Sequence, residues 1–281
     1  MPKLTVCFGD NLPMLRQMPA GSVDLIYIDP PFNTGRVQKR LTLTAHPDAE
    51  GSHVGFHGRR YRVERLAESG YGDSYEDYLG FLAPRLVEAH RLLAPDGSLM
   101  VHLDCREVHY VKVWLDGLFG RAGFMNEIIW AYDYGARTRK RWPAKHDSIL
   151  WYARDPRRYT FNLDACDRIP YMAPTLVGAE KAARGKLPTD TWWHTIVSPH
   201  GRERTGYPNQ KPRGIIDRIM AVHSRPGGLV LDFFAGSGTT GESAHALGRD
   251  CVLMDSNPEA MQVMARRFNG LPVDWQGWSP E

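Results

Sequence analysis

The chain has only four cysteines in 281 residues, Cys7, Cys105, Cys166 and Cys251, and no two of them form a Cys-x-x-Cys pair. That spacing argues against a structural zinc and for a reducing compartment. No apolar run approaches the length of a membrane span. The start, Met1-Pro-Lys-Leu-Thr, lacks the apolar core and small-residue cleavage site of a signal peptide, so the expectation is a cytoplasmic protein with no membrane partner. Internal repeats are missing too. Neither sign of charge dominates: charged residues make up 24% and the formal net charge is +3, too little to demand a polyanionic partner. The composition is that of a globular protein rather than a disordered one, and the length supports one good core plus a modest extra lobe.

The distribution of charge says more than its sum. Residues 136–146, Ala-Arg-Thr-Arg-Lys-Arg-Trp-Pro-Ala-Lys-His, hold Arg137, Arg139, Lys140, Arg141 and Lys145 with Trp142 among them and no acid. A basic loop carrying an aromatic is the footprint of phosphate contacts plus base stacking, although a charge run alone also fits a solvated loop. Residues 155–206 break into Pro, Trp, Tyr and charge, which marks a candidate recognition lobe or else a surface excursion.

Two stretches carry the chemistry. Leu25 to Ile28 is a short apolar run that ends abruptly at Asp29-Pro30-Pro31-Phe32. Two prolines cannot donate to a sheet ladder, so Asp29 and Phe32 are left at the carboxyl edge of a strand, where open α/β sheets hold ligands. Far downstream, Leu229 to Leu231 reads as a second strand, and Asp232-Phe-Phe234-Ala235-Gly236-Ser237-Gly238-Thr239-Thr240 then turns into a helix. Glycines in that context let a backbone pass close to a ligand. No Gly-Lys-Ser/Thr follows, so this is not a phosphate-binding loop. After the next strand stands Asp255, about where an acid reaches a ribose hydroxyl. The ligand implied is a nucleoside without a demanding phosphate, and S-adenosylmethionine fits.

Around these stretches the pattern predicts strands at Leu4 to Phe8, Val23 to Ile28, Ser98 to Leu103, Asn126 to Tyr132, Ser148 to Ala153 and Cys251 to Met254. Helices are expected after Asp10, from a capping-box-like Ser74 and Asp77, over 106–119, from Gln210, and over Pro258 to Phe268. Residues 33–73 lack sustained periodicity and read as a substrate-side flap.

In these residues the chain resembles the amino-group DNA methyltransferases of bacterial modification systems. Asp29-Pro30-Pro31-Phe32 matches the family's Asp/Asn/Ser-Pro-Pro-aromatic tetrapeptide, and Asp232 to Thr240 its cofactor motif. Gly9-Asp10-Asn11, Ser22 to Ile26, Asn126 to Trp130, Lys145 to Trp151 and Asn209-Gln-Lys211-Pro212 match further segments. The catalytic motif precedes the cofactor motif, the order of the family's beta group. The resemblance implies an α/β fold, a permuted Rossmann-like methyltransferase with a mostly parallel sheet and helices on both faces. Residues 1–154 would form its catalytic part, 155–206 a small target-recognition lobe, and 207–281 its cofactor-binding part. It further implies that Asp29, Pro30, Pro31 and Phe32 act on a flipped base, and that Asp10, Asn11, Lys211, Pro212, Asp232, Phe234, Ala235, Gly236, Ser237, Gly238, Thr239 and Asp255 hold S-adenosylmethionine. Double-stranded DNA is the implied partner, and the family allows a homodimer.

Asp in the tetrapeptide favours adenine N6 as the acceptor; cytosine N4 is the alternative, and Phe32 in place of Tyr leaves both in range. An RNA substrate or a non-catalytic DNA-binding role on the same fold are further alternatives. Cytosine-C5 chemistry is excluded, since none of the four cysteines follows a proline, and zinc deamination lacks its His-x-Glu and Pro-Cys-x-x-Cys. Cys7 and Cys251, in apolar strands, are expected to be inert core residues.

Overall fold

A computed structural model describes residues 1–33, 36–47, 53–54, 60–73, 75–135, 137–198 and 200–280. The chain opens as expected with β1 (Leu4–Phe8), α1 (Asn11–Gln17) and β2 (Val23–Ile28). Asp10 caps α1 by accepting the Leu12 N–H at 3.1 Å, the role its short acidic side chain suits.

The stretch after β2 departs from expectation. Rather than an irregular connection, β3 (Arg36–Pro47), β4 (His53–Val54) and β5 (Arg60–Asp73) form a separate antiparallel sheet in the order β3-β5-β4. The register slips between Thr42 and Leu43, whose partners are Ala67 and Arg65. Leu66 is thus an extra residue, and it breaks the alternation of β5. The parts of the expected flap at 34–35, 48–52 and 55–59, and Ser74 of the expected capping box, lie outside the described residues. The helix cap is Asp77, which accepts the Gly80 N–H at 2.7 Å and opens α2 (Tyr78–Leu92).

The rest builds one sheet. It contains β6 (Leu93–Leu103), β7 (Phe124–Ala131), β8 (His146–Ala153), β9 (Thr191–Trp193), β10 (Leu229–Asp232), β11 (Asp250–Asp255) and β12 (Val273–Gln276). Helices α3 (Val108–Phe119), α4 (Ala179–Arg184), α5 (Arg213–His223), α6 (Thr239–Ala246) and α7 (Pro258–Arg267) complete the chain. The nine-stranded order is β12-β1-β11-β10-β2-β6-β8-β7-β9, with only β8 antiparallel to its neighbours. The sequence reading misses β9 and β12, three and four residues long at the sheet's edges.

Two apolar layers cover the sheet. Leu15, Leu82, Leu86, Val111 and Leu115 from α1 to α3 pack on one face with Ile26, Ile28 and Leu231. Ile215, Ile219, Ala244, Met261 and Met264 from α5 to α7 pack on the other with Leu25, Tyr27 and Val230. Strands buried on both faces read as continuous apolar runs, which is why they were visible in the sequence. Cys7 and Cys251 are buried, and burial pushes both thiols up, so they are inert as expected. Among the described residues no helix is long and apolar enough to cross a membrane.

Candidate active site

β2 and β10 are parallel neighbours, with Leu25 beside Val230 and Ile26 beside Leu231. Their carboxyl ends therefore open at one edge, with β11 alongside. A cavity of about 490 Å³ lies there, walled on one side by Asp29, Pro30, Pro31 and Phe32 and on the other by the turn after β10. The two sequence motifs, 200 residues apart, meet in this one mouth.

Asp29 sits where β2 gives way to the two prolines. Its Oδ2 pairs with the Lys211 ammonium at 2.7 Å, while Oδ1 is buried and has no hydrogen-bond partner among the described residues. The same ammonium lies 4.5 Å over the centre of the Phe32 ring. Asn33 follows with φ +52°, a left-handed conformation that asparagine tolerates better than most residues. Its amide donates to Glu107 and its carbonyl accepts the Tyr75 N–H, each at 2.8 Å, which pins the turn to the starts of α2 and α3.

Across the cavity, Asp232 accepts the Phe234 N–H at 3.0 Å and the Thr240 hydroxyl at 2.6 Å. Burial outweighs both bonds and, with the charges of Asp29 and Asp255, pushes its carboxyl up to about 7. Asp255 holds the turn itself: its oxygens accept the Gly236 and Asn257 N–H groups, both at 2.8 Å. The carboxylate has room for a further donor beside these N–H groups.

Gly236, Gly238 and Gly241 stand at Gly-x-Gly-x-x-Gly spacing, but packing separates their roles. Gly236, at φ +50°, lines the cavity, where a Cβ would meet the Tyr207 ring at 3.1 Å. Gly238, at φ +74°, faces away from it: a Cβ would fall 2.7 Å from Met264 and 2.9 Å from Phe268. A Cβ on Gly241 would strike Leu253 at 2.6 Å. Gly238 is thus required by the packing of α6 against α7, and it is not among the residues that line the cavity. Pro212, the residue capping α5, also stands off the lining, unlike its neighbour Lys211. Asp10, Asn11, Phe234, Ala235, Ser237 and Thr239 all reach the cavity.

Several lining residues have no signature in the sequence. Arg85, inside α2, donates to Asp10 at 2.8 Å and Asn11 at 2.6 Å, while the Asn11 amide donates to the Phe233 carbonyl. Phe81 stacks on Tyr75 at 4.4 Å and tilts toward Phe234 at 6.0 Å, giving an aromatic wall. Asn257 donates to the Tyr207 hydroxyl at 3.1 Å. This set fits an adenosyl group bearing a cation: aromatic faces for a purine, Asp255 for hydroxyl donors, and the carboxylates of Asp29, Asp232 and Asp255 for positive charge.

Behind Phe32, three neighbouring strands and the residue just past β7 contribute one polar chain. The Tyr27 hydroxyl bonds His102 Nδ1 at 2.8 Å, His102 Nε2 meets Asp147 at 3.2 Å, and Tyr132 donates to Asp147 at 3.1 Å. Burial pushes the Asp147 carboxyl up, but the His102 bond and charge, the Lys211 charge and the Tyr132 hydroxyl more than reverse it, leaving it below the usual range.

Strand registers place residues 132–135 and 137–145 at the same edge as Asp29. Arg137, Arg139, Lys140 and Arg141 are exposed there, and Trp142 is 93% exposed. Lys145 instead bonds the Gly135 carbonyl at 3.2 Å and stiffens the loop. Within 155–206, Trp192 on β9 is buried and Tyr159 and Phe161 pack on Trp151, so these aromatics are structural, whereas Trp193 is 76% exposed.

The N6/N4 methyltransferase family model, described as DNA methylase, matches residues 23–266. The DNA adenine methyltransferase YhdJ of Escherichia coli strain K12 is 29% identical over 278 residues, 94% of this chain and 82% of that protein. Among solved structures, the PvuII DNA methyltransferase (cytosine-N4-specific) aligns with a TM-score of 0.65 at 16% identity, over 96% of this chain and 89% of that one. The M1.HpyAVI–SAM complex aligns at 0.61 and 20% identity, over 95% and 99%.

Proposed function

The chain belongs to the N6/N4 DNA methylase family, and on that premise we propose that its cavity moves a methyl group from S-adenosylmethionine to the exocyclic amine of a base flipped out of double-stranded DNA, adenine N6 first. One observation carries the reading: Asp29, whose Oδ1 is buried and has no hydrogen-bond partner among the described residues, lines the same cavity as the glycine turn. An acceptor in that state is matched to an amine N–H.

When bound, the cofactor would supply an electrophilic sulfonium methyl, and Asp255, Phe234, Gly236 and Ser237 would hold it. Phe32 stacks on the flipped base, whose extrusion costs a few kcal/mol. Asp29 Oδ1 and the Pro30 carbonyl accept the amine's two N–H bonds. The amine lone pair is delocalised into the ring, and these acceptors draw the nitrogen toward a tetrahedral, nucleophilic form. A charge-assisted hydrogen bond contributes about 1.5 to 3 kcal/mol, and fixing the nitrogen in line with the methyl contributes more, about 7 to 11 kcal/mol in ideal cases. The N–C bond would form as the sulfonium C–S bond breaks to leave S-adenosylhomocysteine, and the methylated nitrogen would lose one N–H proton to solvent, so no covalent enzyme intermediate is required. The exposed Arg137, Arg139, Lys140, Arg141 and Trp142 would grip the duplex at the mouth of the cavity, and residues 155–206 would read its sequence. The name of the Escherichia coli relative supports adenine over cytosine.

Incubation with isotopically labelled S-adenosylmethionine and unmethylated DNA, then digestion to nucleosides and mass spectrometry, tests this. Labelled N6-methyladenine is expected. N4-methylcytosine would overturn the base assignment, and unlabelled DNA with cofactor binding intact would overturn the activity.

A further inference from the structure

Lys211 is buried, at 8% exposure, yet it lines the cavity beside Asp29 and Phe32. It bonds Asp29 Oδ2 at 2.7 Å and covers the Phe32 ring at 4.5 Å. Both groups are those that the proposed reaction assigns to the target base. A base stacked on that face of Phe32 and an ammonium above the same ring cannot share the space. Nor can Asp29 offer its full charge to an amine while it is neutralised by a lysine.

The backbone of Lys211 is not free to withdraw. Its carbonyl accepts the Thr239 hydroxyl at 3.2 Å, and Thr239 is itself held by Arg267 at 3.1 Å. Any movement is therefore a swing of the side chain, whose four-carbon stem gives it reach. Asp147, beside the His102 ring that packs against Phe32, is a second carboxylate within its electrostatic range.

We propose that Lys211 is a placeholder for the target base: in the free protein its ammonium occupies the base's position on Phe32 and masks Asp29, and the flipped base enters by displacing it. This rests on the methyltransferase reading of the same site. It makes Lys211 a positioning residue that acts through Asp29 and Phe32, and it adds a cost to flipping that a lost lysine removes.

The test compares affinity for a duplex carrying the target adenine with that for the same duplex abasic at the target, both with S-adenosylhomocysteine bound. An abasic sugar has no base to seat, so it leaves Lys211 in place. Relative to wild type, Lys211→Met should improve the adenine-to-abasic affinity ratio by about tenfold, the scale of a desolvated cation–ring contact. Lys211→Arg, which keeps a cation over the ring, should leave the ratio near wild type. A purely structural lysine would lower both affinities together, and an unchanged ratio in Lys211→Met overturns the proposal. A measurement on the wild-type protein stands beside it: the ε-methylene resonance of 13C-labelled Lys211 should be ring-current shifted by Phe32, keep that shift with the abasic duplex and lose it with the adenine duplex. Retention of the shift with adenine overturns the placeholder. Should neither duplex bind and no label enter DNA, the methyltransferase reading fails instead.

Discussion

Replacing Gly238 by alanine separates the two jobs done by the glycine turn. The residue sits at φ +74°, and a new Cβ would lie 2.7 Å from Met264 Cγ and 2.9 Å from Phe268 Cζ. A left-handed conformation costs a non-glycine residue about 1 to 2 kcal/mol. Overpacking against α7 adds about 1 to 3 kcal/mol, since Met264 and Phe268 are both buried. The sum is about 2 to 5 kcal/mol of lost stability. With a urea slope of about 3 kcal/mol/M, the midpoint should fall by about 1 M. Gly236→Ala meets Tyr207 in the cavity and should instead weaken cofactor binding more than it lowers the midpoint. Equilibrium urea unfolding followed by tryptophan fluorescence, with calorimetric titration of S-adenosylhomocysteine on both variants, reads the two effects. A Gly238→Ala midpoint equal to wild type, coupled to lost cofactor affinity, would refute the assignment of Gly238 to packing.

Asp232 supplies a pH signature. Its carboxyl titrates near 7 in the folded protein, above the ordinary value, so the stabilising protonation is complete below about pH 4 and is lost as the pH rises through about 7. The urea midpoint of the cofactor-free protein should fall between pH 5 and pH 8, and Asp232→Asn should flatten that slope. A cationic ligand in the cavity favours the carboxylate, so S-adenosylmethionine binding at pH 7 should release up to about half a proton, read as a buffer-dependent calorimetric enthalpy. Changing Arg139, Lys140 and Arg141 together to alanine should reduce the slope of log affinity for DNA against log salt by about 2 to 3 and leave cofactor affinity unchanged.

What was legible in the sequence had a local cause. Asp29 is exposed to the cavity because two prolines end β2 there, and the turn after β10 follows from an apolar strand running into glycines; both causes lie within a few residues. Arg85 could not be read, because an arginine on an amphipathic helix reads as solvated until the fold brings Asp10 and Asn11 beneath it. The Tyr27–His102–Asp147–Tyr132 chain exists only through the strand order β2-β6-β8-β7, which sequence spacing does not encode. Gly238 is ambiguous in the sequence for a related reason: a positive φ demands glycine whether a ligand or a helix approaches, and the contact with α7 appears only in the fold. In β5 the one-residue slip at Leu66 interrupts the alternation, whereas in β3 Leu41, Leu43 and Ala45 alternate and the strand was legible.

The role of Asp29 is open to one direct measurement: single-turnover transfer of labelled methyl from S-adenosylmethionine into DNA by the wild-type protein and by Asp29→Ala, with DNA affinity measured in parallel. Loss of an acceptor preorganised for the transition state should slow transfer by about 100-fold to 1,000-fold while affinity stays within a few fold. Transfer by Asp29→Ala at close to the wild-type rate would contradict the placement of the reacting amine at this carboxylate.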